Sequence, residues 1–184
     1  MSKTLAPNRP WLTGSAIQEL KKLIRPGMRV LEYGSGGSTI WFGLKGCKVL
    51  SAEHKWQWYA TTWQRILKHK LEEVVCLYFR AEEQGKSVYL GADHKYHHRY
   101  ARAATIASAV LGEEPELVLI DGRARLGCIV CAAAIRPRPI IVLDDAQRER
   151  YASSVPLLTE AGYWQKNVTE EGYDTHFWFP SDGR

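Results

Sequence analysis

Three observations predict an α/β fold: a doubly wound, mostly parallel sheet with a C-terminal antiparallel β-hairpin. Short apolar runs alternate with helical patterns along most of the 184 residues, which is how a parallel sheet covered on both faces reads in sequence. A glycine-rich turn at residues 34–37 joins the first of these runs to an apolar helix. The tail breaks the alternation, because the strand-like runs 163–168 and 175–179 leave no room for a helix between them and must pair as a hairpin.

Thr13 is placed to cap a first helix, whose apolar residues at 16, 17, 20, 23 and 24 trace one face. Pro26 and Gly27 stop it. A strand at 29–33 follows, then the glycine loop, a helix at 39–44 and a second strand at 47–52 that ends on Glu53. A helix at 56–69 leads to a third strand at 74–79. A connection through Gly85 and Gly91 reaches a single helix at 98–111. The fourth strand spans 116–121, a helix covers 126–135, the fifth strand covers 139–143, and a short helix at 154–161 precedes the hairpin. Residues 1–12 read as a polar N-terminal tail and 13–184 as one domain, with no repeat or linker.

The loop carries the chemistry. Glycines let a backbone approach a ligand more closely than any side chain allows, and the N–H groups opening the next helix favour an anionic group such as a carboxylate. In the run Val30-Leu31-Glu32-Tyr33-Gly34-Ser35-Gly36-Gly37-Ser38-Thr39 the acid precedes the glycines. A dinucleotide fingerprint would put a third glycine where Thr39 stands. Glu53, about 20 residues beyond the turn, is placed to accept hydrogen bonds from ribose hydroxyls.

This run resembles motif I of the class I S-adenosylmethionine-dependent methyltransferases, and the order of elements from residue 13 to 179 agrees with the Rossmann-like fold of that family. The resemblance implies S-adenosylmethionine as cofactor. Glu32, Gly34, Ser35, Gly36, Gly37, Ser38 and Thr39 would hold its methionine end, Glu53 its ribose, Glu82 or the competing Glu83 its adenine, His54 would also belong to the cofactor site, and Asp121 would lie near the amino-acid end.

In open parallel sheets ligands gather beyond the carboxyl ends of the strands, so Glu32, Glu53, Asp121, Asp144 and Asp145 should share one crevice. Asp144 or Asp145 would take the proton of an acceptor hydroxyl during in-line methyl transfer. Three carboxylates at the ends of strands four and five could hold a hard divalent cation, as in catechol-type enzymes, yet metal-free relatives also carry acids there, and no metal is assigned. Arg123, Arg125 and Arg148 are candidates for clamping an acidic acceptor, and Tyr96 and Tyr100 for lining its pocket. The run His94, His97, His98 reads as exposed imidazoles at a helix start. Cys128 and Cys131, three apart on a helix, read as core because no second pair completes a zinc set. The seven tryptophans read first as packing residues, although Trp41, Trp56, Trp58 and Trp63 group toward the adenine side, where one could stack on a base or an acceptor.

A net charge of +5 and 45% hydrophobic residues describe an ordinary globular chain and permit an acidic or nucleic-acid partner without requiring one. No run reaches transmembrane length and the start lacks a secretory core, so a cytoplasmic protein with reduced thiols and no membrane partner is expected. The leading expectation is methylation of a small-molecule acceptor, on oxygen. The alternatives are a noncatalytic cofactor-binding or partner-binding subunit and an RNA methyltransferase. The last lacks an Asn/Asp-Pro-Pro-Tyr/Phe motif or a Pro-Cys nucleophile.

Overall fold

The computed structural model describes residues 8–81 and 98–183. Seven strands form one sheet in the order β3-β2-β1-β4-β5-β7-β6. The first five are β1 (Arg29–Tyr33), β2 (Lys48–Glu53), β3 (Val75–Phe79), β4 (Leu117–Ile120) and β5 (Ile140–Leu143), and neighbours among them pair in parallel. The hairpin strands β6 (Tyr163–Glu170) and β7 (Tyr173–Pro180) complete the sheet, with β7 antiparallel to both β5 and β6. Strand order reverses at β1, which lies between β2 and β4. That reversal opens the crevice outside the carboxyl ends of β1 and β4.

Alternation along the central strands divides the core in two. Leu31, Tyr33, Leu50, Val118, Ile120 and Leu143 face one layer, covered by α4 (His98–Ala101), α5 (Ala107–Leu111), α6 (Arg125–Ala133) and α7 (Ser154–Glu160). Val30, Val49, Leu117, Leu119, Val142 and Phe177 face the other, covered by α1 (Gly14–Leu23), α2 (Gly37–Leu44) and Ile66 of α3 (Trp56–His69). Central strands buried on both faces explain why they read as unbroken apolar runs.

The expected helices and strands appear with two local differences. The single helix expected at 98–111 is broken: α4 gives way to a 3₁₀ segment at Arg102–Ile106 before α5. There the Thr105 hydroxyl donates to the Arg102 carbonyl at 2.8 Å, a bond to the i−3 residue that suits the tighter winding. The hairpin is longer than its apolar runs suggest. Only Glu171 and Gly172 separate the strands, both left-handed at φ 53° and 79°, the form of a two-residue hairpin turn. Its last rungs are polar, with Thr169 donating to Asp174 at 2.6 Å, so hydropathy does not mark them.

Residues 8–12 do not trail away from the domain. Pro10 and Leu12 are buried, Asn8 accepts from Arg65 at 3.3 Å, and a Cβ on Gly37 would overlap the Arg9 carbonyl. No described helix is long and apolar enough to cross a membrane.

Candidate functional site

The glycine loop lies at the switch point, and each of its glycines answers a different constraint. Gly34 is left-handed at φ 101°, and a Cβ there would come within 2.8 Å of the Gly122 backbone. Gly122 is equally confined, since its Cβ would meet the Tyr100 hydroxyl. The loops after β1 and β4 thus touch backbone to backbone. Gly37 is confined by Arg9, whereas nothing lies within 4 Å of a Cβ placed on Gly36. At Gly36 the absence of a side chain leaves open space.

Glu32 and Thr39 tie this loop to the sheet. Glu32 is fully buried and its Oε2 accepts short hydrogen bonds from the Thr39 and Ser51 hydroxyls. Thr39 Oγ1 in turn accepts the Gly36 N–H at 2.9 Å. The residue that replaces a third glycine therefore locks the turn onto the acid. Burial pushes the carboxyl up from 4.5 to about 7, against the pull of the Ser38, Ser51 and Thr39 hydroxyls, and among the described residues Glu32 Oε1 has no well-aligned hydrogen bond.

Glu53, at the end of β2, meets the same loop. Its Oε2 accepts both the Ser35 N–H and the Ser35 hydroxyl at 3.0 Å, and its Oε1 accepts the N–H groups of His54 at 2.7 Å and Lys55 at 2.8 Å. His54 Nδ1 lies 3.0 Å from Oε1. Burial opposes the charge on Glu53, but the His54 side chain and the Lys55 and His54 N–H groups outweigh it, and the carboxyl stays below the usual range. Ser35 Oγ also lies 3.2 Å from Thr62 Oγ1 on α3. A hydroxyl has one proton, so Ser35 can turn toward Thr62 and free an acceptor position on Glu53.

The ends of β4 and β5 bring Asp121, Asp144 and Asp145 around a buried cation from within the chain. Arg125, 5% exposed, donates through Nε to the Gly122 carbonyl at 3.0 Å and through its Nη atoms to the Asp121 carbonyl at 2.8 Å and the Asp144 carbonyl. It also reaches Asp121 Oδ1 at 3.1 Å and Asp145 Oδ2 at 3.3 Å. Arg125 is thus spent on its own strand ends and is not placed to clamp an acceptor. The described residues contain no group of three acids, histidines or cysteines arranged for a metal ion.

The two central acids bond to one another through their side chains. Asp121 is raised well above the carboxylate range, first by burial and then by the Asp144 charge. Asp144 is raised as well, by burial, although Arg125 pulls it down, and Thr175 on β7 donates to its Oδ1 at 3.1 Å. Asp145, left-handed at φ 53°, is held by Arg125 and Arg148.

The remaining expectations divide. Arg148 is 43% exposed beside Asp145, and Arg123 is half-buried in the turn after β4. Tyr100 is not a pocket wall: it is fully buried, with its ring edge-on to Tyr33 at 5.4 Å and to His54 at 5.6 Å. An aromatic ring on the helix crossing the switch point is drawn into the core by those partners. Glu82 and Tyr96, like His94 and His97, lie outside the described residues. Sequence reasoning missed Thr62, whose hydroxyl accepts from Ser35, Thr175, whose hydroxyl donates to Asp144, and Arg9, whose backbone closes over Gly37. A shallow cleft of about 460 Å³ lined by Arg29, Glu114, Glu116 and Arg138 opens at the amino ends of β1, β4 and β5, the opposite end of the sheet. Its Arg29 and Glu116 are already paired with one another.

No family model and no curated protein matches the sequence. Solved structures do. The chain superposes on a methyltransferase-like protein from Silicibacter pomeroyi with a TM-score of 0.60 and 22% identity, over 94% of this chain and 90% of that one. A precorrin-6Y C5,15-methyltransferase from Geobacter metallireducens gives 0.59 at 12% identity, over 91% and 87%. A proposed rRNA methylase from Clostridium thermocellum gives 0.61 at 10% identity, over 91% and 96%. The chain has the Rossmann-like fold of the class I S-adenosylmethionine-dependent methyltransferases.

Proposed function

We propose that this protein is an S-adenosylmethionine-dependent methyltransferase acting on a hydroxyl acceptor. The observation that carries the reading is the meeting of the glycine loop and Glu53 at one end of the sheet, through the Ser35 hydrogen bonds at 3.0 Å. Around that junction the residues suit the cofactor. The unpartnered Glu32 Oε1 suits an ammonium group, the open space over Gly36 suits close approach of a ligand to the backbone, and Glu53 suits a ribose once Ser35 turns to Thr62.

Bound there, the cofactor would supply a sulfonium methyl group for in-line displacement. The protein's part is alignment and proton removal. The Asp144 carboxylate, raised in proton affinity by burial, would take the proton of the acceptor hydroxyl as its oxygen forms the new bond to carbon. Asp121, the more strongly raised of the two, would keep its proton and donate a hydrogen bond to the Asp144 carboxylate in the resting state. Asp145 is the weaker candidate for base because two guanidinium groups hold it. Arg148 and Arg123 stand at the rim for an acidic acceptor, and no step requires a metal.

The test is calorimetry with S-adenosylmethionine, S-adenosylhomocysteine and NAD on the full chain, followed by transfer of labelled methyl groups into a metabolite pool and into total RNA. Binding of the first two without NAD, and transfer lost in Asp144→Asn, is the expected result. Cofactor binding with no transfer to any pool would leave a binding subunit in place of an enzyme. No binding would end the reading.

A further inference from the structure

We propose that the outer face of α3 is a docking strip for single-stranded nucleic acid, which would present the acceptor of the methyl transfer proposed above. The sequence alone points first to a small-molecule acceptor and to the tryptophans as packing residues. Of Trp41, Trp56, Trp58 and Trp63, only Trp41 is buried. Trp56 is 63% exposed, Trp63 39% and Leu67 46%, and at i, i+7 and i+11 they share one strip, while Trp58, 44% exposed, lies on the other flank. The helix buries only Thr62 and Ile66.

The rings gather in two groups on the two flanks of α3. Trp56 stacks on Tyr59 with centroids 5.4 Å apart and planes 18° from parallel, and Phe79 of β3 packs edge-on against both, at 5.5 and 5.4 Å. On the other flank Trp58 meets Trp11, with ring centroids 6.5 Å apart. Exposed aromatic rings grouped on one helix mark a surface suited to a partner. Flat π faces beside cations match what single-stranded nucleic acids present: bases that stack on rings and phosphates that seek positive charge.

The charge on α3 has one sign. Between Glu53 and Glu72 the chain carries Lys55, Arg65, Lys68 and Lys70 and no acid. A basic, apolar helix also suits an anionic lipid surface, but here the apolar area is almost wholly aromatic, with Leu67 its single exposed aliphatic side chain. The strip begins at the carboxyl end of β2, immediately after Glu53 and His54. By strand order β2 lies three strands from β5, which at the usual spacing is about 14 Å. A strand seated at the start of α3 would run across the ends of β1 and β4 to bring a nucleotide to Asp144.

The inference rests on the methyltransferase reading for its purpose, not for its test. Fluorescein-labelled 12-mers of oligouridylate and oligoadenylate, titrated with the full chain by anisotropy without cofactor, should bind at 50 mM salt. If about three phosphates are neutralised, affinity should fall about 20-fold by 200 mM salt. Trp56→Ala and Trp63→Ala should each weaken binding at least about 5-fold, the low end for loss of one stacked base. Lys68→Gln with Lys70→Gln should flatten the salt dependence, and serves if a tryptophan variant melts early. No binding at 100 µM protein, or tryptophan variants that bind like the parent, would overturn the proposal. So would capture by phosphatidylserine vesicles in place of oligonucleotides, or a dimer that Trp63→Ala dissolves. Calorimetry of Trp63→Ala with S-adenosylmethionine keeps the two readings apart: retained cofactor binding with lost oligonucleotide binding is the result expected here, and failure of the parent to bind cofactor counts only against the enzyme.

Discussion

Ser35 donates both its backbone N–H and its hydroxyl to Glu53 Oε2, each at 3.0 Å, so the turn after β1 and the end of β2 are one structural unit. Glu53→Gln replaces half of an acceptor that four donors share with an amide that itself donates. Hydrogen bonds to a charged group contribute about 1.5 to 3 kcal/mol each, so urea unfolding should show a loss of about 2 kcal/mol or more. Affinity for S-adenosylmethionine should fall at least tenfold. Unchanged affinity would take the ribose away from Glu53.

Gly36 and Gly37 are neighbours with opposite expected outcomes. Gly36→Val projects into open space, so the melting temperature should stay within a few degrees while calorimetry shows cofactor binding lost. Gly37→Val must displace the Arg9 carbonyl and should destabilise the chain by about 1 to 3 kcal/mol, the usual range for overpacking. Normal cofactor binding by Gly36→Val would remove the loop from the site.

Glu32 gives a pH signature whose sign is fixed by its burial. Its folded value of about 7 lies above the ordinary 4.5, so the folded chain holds this proton more tightly than the unfolded chain does. The stability it contributes is fully present below about 4.5 and lost as pH rises through 7. The difference corresponds to about 3 kcal/mol. Glu32→Gln has no proton to lose. Urea unfolding from pH 4.5 to 8 should therefore show the parent losing about 3 kcal/mol relative to the variant, and a pH-independent difference would contradict the assignment.

Asp144 and Arg125 should separate chemistry from structure. Asp144→Asn should lower turnover about 100-fold or more, the ordinary range for a positioned general base, with cofactor affinity changed less than threefold. Arg125→Met leaves buried carboxylates without their cation and should cost about 3 to 5 kcal/mol in chemical denaturation. Arg125→Lys should not restore it, because an ammonium cannot span the Gly122, Asp121 and Asp144 carbonyls as the guanidinium fork does. An Asp144→Asn enzyme with undiminished turnover would move the base elsewhere.

The sequence by itself determined the sheet, the loop and the acids at the strand ends. Apolar strands of a doubly covered sheet and glycines at a switch point are local signals, written in consecutive residues around 29–39, 48–53 and 117–121. Tertiary structure decided what those residues touch. Thr39 reads as a missing glycine until Glu32 is beside it, and Arg125 reads as a surface clamp until three strand-end carbonyls surround it. Tyr100 and the tryptophans of α3 exchanged places, the tyrosine going to the core and Trp56, Trp58 and Trp63 to the surface. Periodicity assigns a side chain to one face of a helix. Whether that face meets the sheet, solvent or a partner depends on how distant elements pack against it, which no window of neighbouring residues contains.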